Sequence, residues 1–147
     1  MKKVNCILLV DDNPADNYYN QYIIKDADVC HNVHIAINGV EALAYLRRSA
    51  EPGHNGEYPK PDIIFLDINM PRMNGFEFLE EYKHLDERMK SKVLVVMLTT
   101  SLNQEDKQKA MTFKEVDEFI NKPLSPETLH EIVGKVFTVN ALPANMG

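Results

Sequence analysis

The sequence has few cysteines, no long hydrophobic run and no excess of positive charge. Its two cysteines, Cys6 and Cys30, form no CxxC motif and have no matching histidine pairs. This excludes a disulfide framework and a zinc site and indicates a reducing compartment. The longest apolar runs fall far short of the roughly 20 residues that a membrane span needs. The start, MKKVNCILLVDDN, has an apolar core too brief for a signal peptide, so we expect a cytoplasmic protein.

Negative charge predominates in this short chain. There are 22 acidic and 16 basic residues, for a net charge of −6. Because such a surface repels phosphate backbones and anionic lipids, we expect neither nucleic acid nor a membrane as the main partner. The 147 residues, 44% hydrophobic and 26% charged, are typical of one soluble domain. We assign that domain to residues 1–138 and expect residues 139–147 to form a disordered tail.

Short apolar runs rich in β-branched residues alternate with longer stretches that carry helix-start signals. Each run has five or six residues, which suits a buried strand better than a helix. The predicted strands are Asn5–Val10, Val33–Ile37, Asp62–Leu66, Val93–Leu98 and Val116–Ile120. The predicted helix caps are Asn13, Asn38, Asn74, Asn103 and Ser125. Strands that alternate with helices predict an α/β fold, with a parallel sheet covered on both faces.

Reactive side chains follow four of the five predicted strands. They are Asp11 and Asp12 after the first strand, Asp67 and Asn69 after the third, Thr99, Thr100 and Ser101 after the fourth, and Lys122 after the fifth. Ligands of an open parallel sheet bind beyond the carboxyl ends of its strands. We therefore expect these side chains to share one site.

The chemistry of this predicted cluster favours phosphoryl transfer. Three neighbouring carboxylates repel one another, so protons or a hard cation must compensate, and Mg²⁺ prefers such oxygen ligands. A carboxylate is already an anion at neutral pH and can attack phosphorus without a base. Lys122 can supply a positive charge to one phosphoryl oxygen, and Thr99 a hydroxyl donor to another.

Four sequence strings, in this order, resemble those of receiver domains in two-component response regulators. They are LLVDDNP, FLDINMPRMNGFEF, VVMLTTS and FINKPLSPETL, and the similarity extends over nearly the whole chain. The resemblance implies a flavodoxin-like, doubly wound (βα)5 fold with five parallel strands in the order 2-1-3-4-5. We expect a stand-alone receiver, since one such domain fills the chain.

The resemblance also implies a phosphoacceptor and a metal site. Asp67 matches the aspartate that receives the phosphoryl group. Asp12, Asp67 and the backbone carbonyl of Asn69 match ligands of Mg²⁺, and Asp11 is expected to support the ion through water.

A conformational switch is the further implication of this resemblance. Thr99 and Lys122 match the switch threonine and the phosphate partner, and Phe119 matches an aromatic residue that turns inward on activation. Asn69 and Ser101 flank the phosphate position and are expected to tune its lifetime. We expect the change to alter the face formed by the fourth helix, fifth strand and fifth helix, which would bind the next protein.

Three features depart from the usual receiver pattern. The exposed loop Ala50–Pro61 is longer than in compact receivers, and Thr100 replaces a small residue, which bears on access to the site and on phosphate lifetime. The segment MTFKEVDEF lacks a glycine, so an irregular end is expected for the fourth helix. Lys122-Pro123 matches a peptide bond that is often cis in receivers.

The expected partners are a sensor histidine kinase or a histidine phosphotransfer protein and a downstream protein; homodimer formation stays open. We expect no enzyme activity beyond the chain's own phosphorylation and dephosphorylation. One alternative is a haloacid-dehalogenase-like phosphohydrolase with an aspartyl nucleophile, but Asn69 stands where such enzymes carry a second aspartate. The other is an interaction module that is not phosphorylated, for which Thr100 is the main argument.

Overall fold

Five parallel strands form one sheet in the order β2-β1-β3-β4-β5. The computed structural model describes residues 2–90 and 92–146, and residues 139–146 by their backbone only. The strands are β1 (Val4–Val10), β2 (Cys30–Ala36), β3 (Ile63–Leu66), β4 (Leu94–Thr99) and β5 (Val116–Asn121). The predicted strand order is therefore confirmed, and each observed strand lies within a few residues of its predicted position.

Helices cover both faces of the sheet. They are α1 (Pro14–Ala27), α2 (Gly39–Ala50), α3 (Gly75–Tyr82), α4 (Glu87–Lys90), α5 (Gln104–Met111) and α6 (Pro126–Met146). The short α4 was not predicted, so the predicted fourth and fifth helices are α5 and α6. The predicted partner-binding face accordingly corresponds to α5, β5 and α6.

Side chains at the helix starts explain where the helices begin. The Asn13 side chain accepts hydrogen bonds from the first turn of α1, and Asn38 and Asn103 do so for α2 and α5. Asn74 forms a reciprocal capping box with Glu77. These contacts satisfy backbone N–H groups that have no partner within the helix. The predicted caps are confirmed at these four helices.

The core consists of two apolar layers, one on each face of the sheet. One layer packs the sheet against α2, α3 and α5, with Leu46 and Phe78 among its fully buried members. The other packs it against α1 and α6, with Ile24 and Leu129 buried there. The central strands β3 and β4 are buried along their whole length, whereas β2 and β5 are partly exposed edges. This is the two-sided burial expected of a parallel sheet.

Two segments bear on the sequence expectations. The backbone of α6 is helical to Met146, and the disordered tail expected from residue 139 stays a prediction. Gly147 lies outside the described residues, and the domain boundary at residue 138 stays a prediction. The exposed loop that follows α2 is tethered, because the Tyr45 hydroxyl donates to the Pro59 carbonyl at 2.6 Å.

The helix before β5, α5, ends irregularly, as expected from the absence of a glycine between this helix and β5. The N–H of Thr112 donates to the carbonyl of Lys109 in a tightened last turn, and Thr112 keeps right-handed helical dihedrals. Among the described helices, none combines the length and apolar character needed to cross a membrane.

Candidate phosphoacceptor site

The first strand delivers two adjacent carboxylates to the site. The N–H of Asp11 donates to Ala36 at the end of β2, which fixes Asp11 at the carboxyl edge of the sheet. Its side chain is buried and accepts a hydrogen bond from the N–H of Asn13 at 2.9 Å, whereas Asp12 is exposed. The Asn17 amide donates to the Asp11 carbonyl at 2.8 Å. Asp11 is therefore held in place, and Asp12 faces the solvent.

A tight turn holds Asp67 at the end of β3. The N–H of Gly75 donates to the carbonyl of Ile68 at 2.8 Å, so the chain folds back directly behind Asp67. A Cβ atom on Gly75 would collide with the carbonyl oxygen of Asp67, which explains the need for glycine here. The Asp67 side chain is buried and accepts a hydrogen bond from the N–H of Ile68 at 2.8 Å. The other carboxylate oxygen faces Lys122.

The carboxylates of Asp11, Asp12 and Asp67 form one cluster. One oxygen from each lies within 4.8 Å of the other two. Three hard oxygen donors close together suit Mg²⁺ or Mn²⁺ and do not suit soft metals. The predicted grouping of the three acids is confirmed by this geometry; Asn69 is exposed two residues after Asp67, and the role of its carbonyl stays a prediction.

Lys122 extends from the end of β5 into the acidic cluster. Its Nζ lies 2.6 Å from Asp11 Oδ2, 2.7 Å from Asp16 Oδ2 and 3.2 Å from Asp67 Oδ2. The peptide bond that follows, Lys122-Pro123, is cis, as the resemblance implied. Sequence analysis placed Lys122 beside Asp67 but missed Asp16. Its position in the first turn of α1, close after Asp11 and Asp12 in sequence, was a signal that could have identified it.

Burial and charge act on Asp11 and Lys122 in different ways. Burial raises the pKa of Asp11 and the charge of Asp67 adds to the increase, although hydrogen bonds from Lys122 and Asn13 oppose it. Burial alone would lower the pKa of Lys122, but its hydrogen bonds to Asp11 and Asp16 and the charge of Asp67 raise it well above its ordinary value. Lys122 is therefore a permanent cation in the site.

Thr99 joins the site to the segment between β4 and α5. Thr99 is fully buried, and its Oγ1 accepts a hydrogen bond from the N–H of Ser101 at 3.2 Å. The Ser101 hydroxyl donates to Asp106 in α5 at 2.6 Å, and the Asn121 amide donates to the Ser101 carbonyl at 2.6 Å. A movement of Thr99 would therefore disturb hydrogen bonds that lead to both α5 and β5.

Two further residues predicted for the site, Phe119 and Thr100, lie outside the acidic cluster. Phe119 is partly buried and packs against the core layer beneath α5. Thr100 is exposed and lines a surface cavity of about 270 Å³ together with Asp16, Lys122 and Pro123. Thr100 therefore borders the route to Lys122. The functional roles of these side chains stay predictions.

Residues 7–134 match the family described as the response regulator receiver domain. The chain belongs to the response regulator receiver family. Its receiver is 36% identical over 100 residues to the response regulator Rcp1 of Synechocystis sp., which is 68% of this chain and 65% of Rcp1. The aligned region is therefore a little less than two-thirds of that relative's length.

Solved structures give the same assignment. The fold is similar to a two-component response regulator from Cytophaga hutchinsonii, with a TM-score of 0.81 and 31% identity over 92% of this chain and 98% of that one. It is also similar to the phosphorylated cyanobacterial phytochrome response regulator RcpA, with a TM-score of 0.69 and 34% identity over 90% and 91% of the chains. A third similar structure is the Mn²⁺-bound form of Rcp1, with a TM-score of 0.67 and 30% identity over 89% of this chain and 90% of that one.

These relationships support a phosphoacceptor role in two-component signalling and do not favour the phosphohydrolase alternative. Receivers bind Mg²⁺ or Mn²⁺ at an acidic pocket, and this chain carries the aspartate cluster for such a pocket.

Proposed function

We propose that Asp67 takes a phosphoryl group from a phosphohistidine on a histidine kinase or phosphotransfer protein. An oxygen of Asp67 forms the new bond to phosphorus while the phosphorus–nitrogen bond breaks, and the departing imidazole keeps the electron pair. The observation that carries this proposal is the buried Asp67 carboxylate, which faces Lys122 at 3.2 Å within a group of three acids.

Each neighbouring residue has a defined part in this proposal. Asp11, Asp12 and Asp67 would hold Mg²⁺, together with the carbonyl of Asn69. When bound there, Mg²⁺ supplies positive charge that offsets the phosphoryl oxygens. Lys122 pairs with one phosphoryl oxygen and keeps its charge at physiological pH, because the surrounding acids raise its pKa.

Thr99 would carry the signal away from the site. Its hydroxyl turns to donate to the phosphoryl group, which disturbs the hydrogen bond from Ser101 and the contacts to Asp106 and Asn121. Phe119 then repacks, and the face of α5, β5 and α6 changes shape for a downstream protein. Asn69, Thr100 and Ser101 border the phosphate position and would set its lifetime. A cytoplasmic location and homodimer formation remain parts of this hypothesis.

Mass spectrometry after incubation with Mg²⁺ and acetyl phosphate tests the proposal. We expect one added phosphoryl group on the native protein, none on Asp67→Asn, and little in the presence of a chelator. Asp26→Asn is the matched control, because Asp26 is an exposed acid on α1 and its loss changes the net charge equally. No adduct on the native protein would favour the unphosphorylated interaction module. Rapid turnover of a phosphomonoester would show enzyme activity instead.

A further inference from the structure

Lys122 forms an ion pair with Asp16, a carboxylate that does not itself accept the phosphoryl group. Asp16 Oδ2 lies 2.7 Å from Lys122 Nζ, closer than the 3.2 Å between Nζ and the acceptor Asp67. Asp11 is the third partner, at 2.6 Å. An ammonium group has three N–H donors. The three carboxylates therefore occupy every donor of Lys122 before a phosphoryl group arrives.

Asp16 is the partner that Lys122 can release most easily. Its side chain is 36% exposed, so water can solvate the carboxylate when the ion pair opens. Asp11 is buried and is held by a second hydrogen bond, from the N–H of Asn13. Asp67 becomes part of the phosphorylated group itself. A phosphoryl oxygen that pairs with Lys122 would thus displace Asp16.

Asp16 also adds negative charge beside the incoming group. A phosphoryl group brings about −1.5 to −2 charges, and both anions would compete for one ammonium. While Asp16 is paired with Lys122, it reduces the positive potential that attracts an anionic phosphodonor.

We propose that Asp16 is a positioning residue that competes with the phosphoryl group for Lys122 and thereby slows phosphorylation of Asp67. This inference rests on the function proposed above. In the step concerned, an Asp67 oxygen bonds to phosphorus, the bond from phosphorus to the leaving group breaks, and the leaving group keeps the electron pair. Asp16 forms no bond to phosphorus and acts only through Lys122.

Phosphorylation kinetics of Asp16 variants test this competition. The rate of adduct formation is measured against acetyl phosphate concentration at saturating Mg²⁺, for the native protein, Asp16→Asn, Asp16→Glu and Asp26→Asn. We expect Asp16→Asn to lower the half-saturating acetyl phosphate concentration roughly three- to tenfold, with a smaller change in the maximal rate. Asp16→Glu keeps the charge and should behave like the native protein. Asp26→Asn controls for net charge and should also do so.

Three outcomes would overturn the inference. If Asp16→Asn has the same kinetics as Asp26→Asn, the ion pair with Lys122 has no effect on phosphorylation. If Asp16→Asn reacts more slowly while unfolding at the same temperature as the native protein, Asp16 assists Lys122 and does not compete. Absence of an adduct on all four proteins would overturn the proposed function and this inference with it. Normal adduct formation with identical kinetics for Asp16→Asn and Asp26→Asn would overturn this inference alone.

Discussion

At the residue scale, one ammonium group serves several carboxylates. Lys122 contacts Asp11, Asp16 and Asp67, so the site has more negative than positive charge before any metal or phosphoryl group binds. Such an arrangement resists further negative charge unless a cation enters. The excess negative charge favours cation binding, and the carboxylate oxygens favour a hard cation.

The raised pKa of Asp11 predicts a pH-dependent effect on stability in metal-free buffer. A group whose folded pKa exceeds its unfolded value contributes stability at low pH, and this contribution is lost as pH rises through the folded pKa. In Asp11→Asn the titratable carboxyl is absent, so this variant does not lose that contribution to stability as pH rises. The free energy of unfolding of Asp11→Asn, relative to the native protein, should therefore increase as pH rises above about 4, the ordinary pKa of an aspartate.

Urea denaturation with chelator at several pH values measures this difference. Asp26→Asn, which removes an exposed acid, is the control for the loss of one negative charge. An offset of Asp11→Asn from the native protein that stays constant with pH would contradict the prediction.

The two thiols should be poorly reactive. Burial raises the pKa of Cys6 to about 12, and its Sγ lies against the Tyr45 hydroxyl at 3.6 Å. Burial also raises the pKa of Cys30, which is only partly covered. Because the thiolate is the reactive form, we expect a disulfide reagent at pH 8 to modify Cys30 slowly and Cys6 only after denaturation. Reaction of native Cys30→Ser at a rate like that of an exposed thiol would disprove this.

At the scale of elements, the turn between β3 and α3 determines where Asp67 lies. Its backbone passes so close to Asp67 that position 75 has no room for a side chain. The same segment then starts α3 through the capping box of Asn74 and Glu77. One short segment thus positions the acceptor and begins a helix, so changes in it can affect stability and function separately.

Substitutions in this turn should separate the two effects. Gly75→Ala should lower the free energy of unfolding by roughly 1–3 kcal/mol, because its Cβ displaces the backbone at Asp67. It should also slow phosphorylation by acetyl phosphate. Asn74→Ala removes the cap at a cost of about 1 kcal/mol but does not press on Asp67, so phosphorylation should stay near the native rate. Urea denaturation measures the free energy of unfolding, and mass spectrometry of the adduct over time measures the rate of phosphorylation. Phosphorylation of Gly75→Ala at the native rate would refute the steric explanation.

At the scale of the whole molecule, the site joins distant parts of the chain. Asp11 follows β1, Asp67 follows β3 and Lys122 follows β5, and only the parallel sheet brings these strand ends together. Unfolding separates the ligands, so a metal that binds the cluster must favour the folded state.

Mg²⁺ should therefore raise the unfolding temperature of the native protein. A free concentration one hundred times the dissociation constant adds about 2.7 kcal/mol to stability, which corresponds to a shift of roughly 5–10 °C for a domain of this size. Thermal unfolding followed by circular dichroism, with and without Mg²⁺, measures the shift. Asp12→Asn should lose most of it and Asp26→Asn should keep it. An unchanged shift in Asp12→Asn would mean that Asp12 is not a ligand.

Much of the fold was predictable because its signals are local. The apolar runs predicted the strands, and cap residues such as Asn74 predicted the helix starts. The alternation of strands and helices then limited the fold to a parallel sheet, and the resemblance specified its order. The short α4 was missed because four residues, ERMK, carry no helical period that a pattern could reveal.

The identity of the reactive residues at the carboxyl edge of the sheet follows from the sequence alone, since each one lies at or just after the end of a strand. The way Lys122 divides its hydrogen bonds depends instead on how the helices and strands pack. Asp16 and Lys122 are 106 residues apart, and their ion pair exists because the fold places the first turn of α1 beside the residue that follows β5. A long, flexible lysine chooses among neighbouring acids by distance and burial, and both quantities arise only when the elements pack.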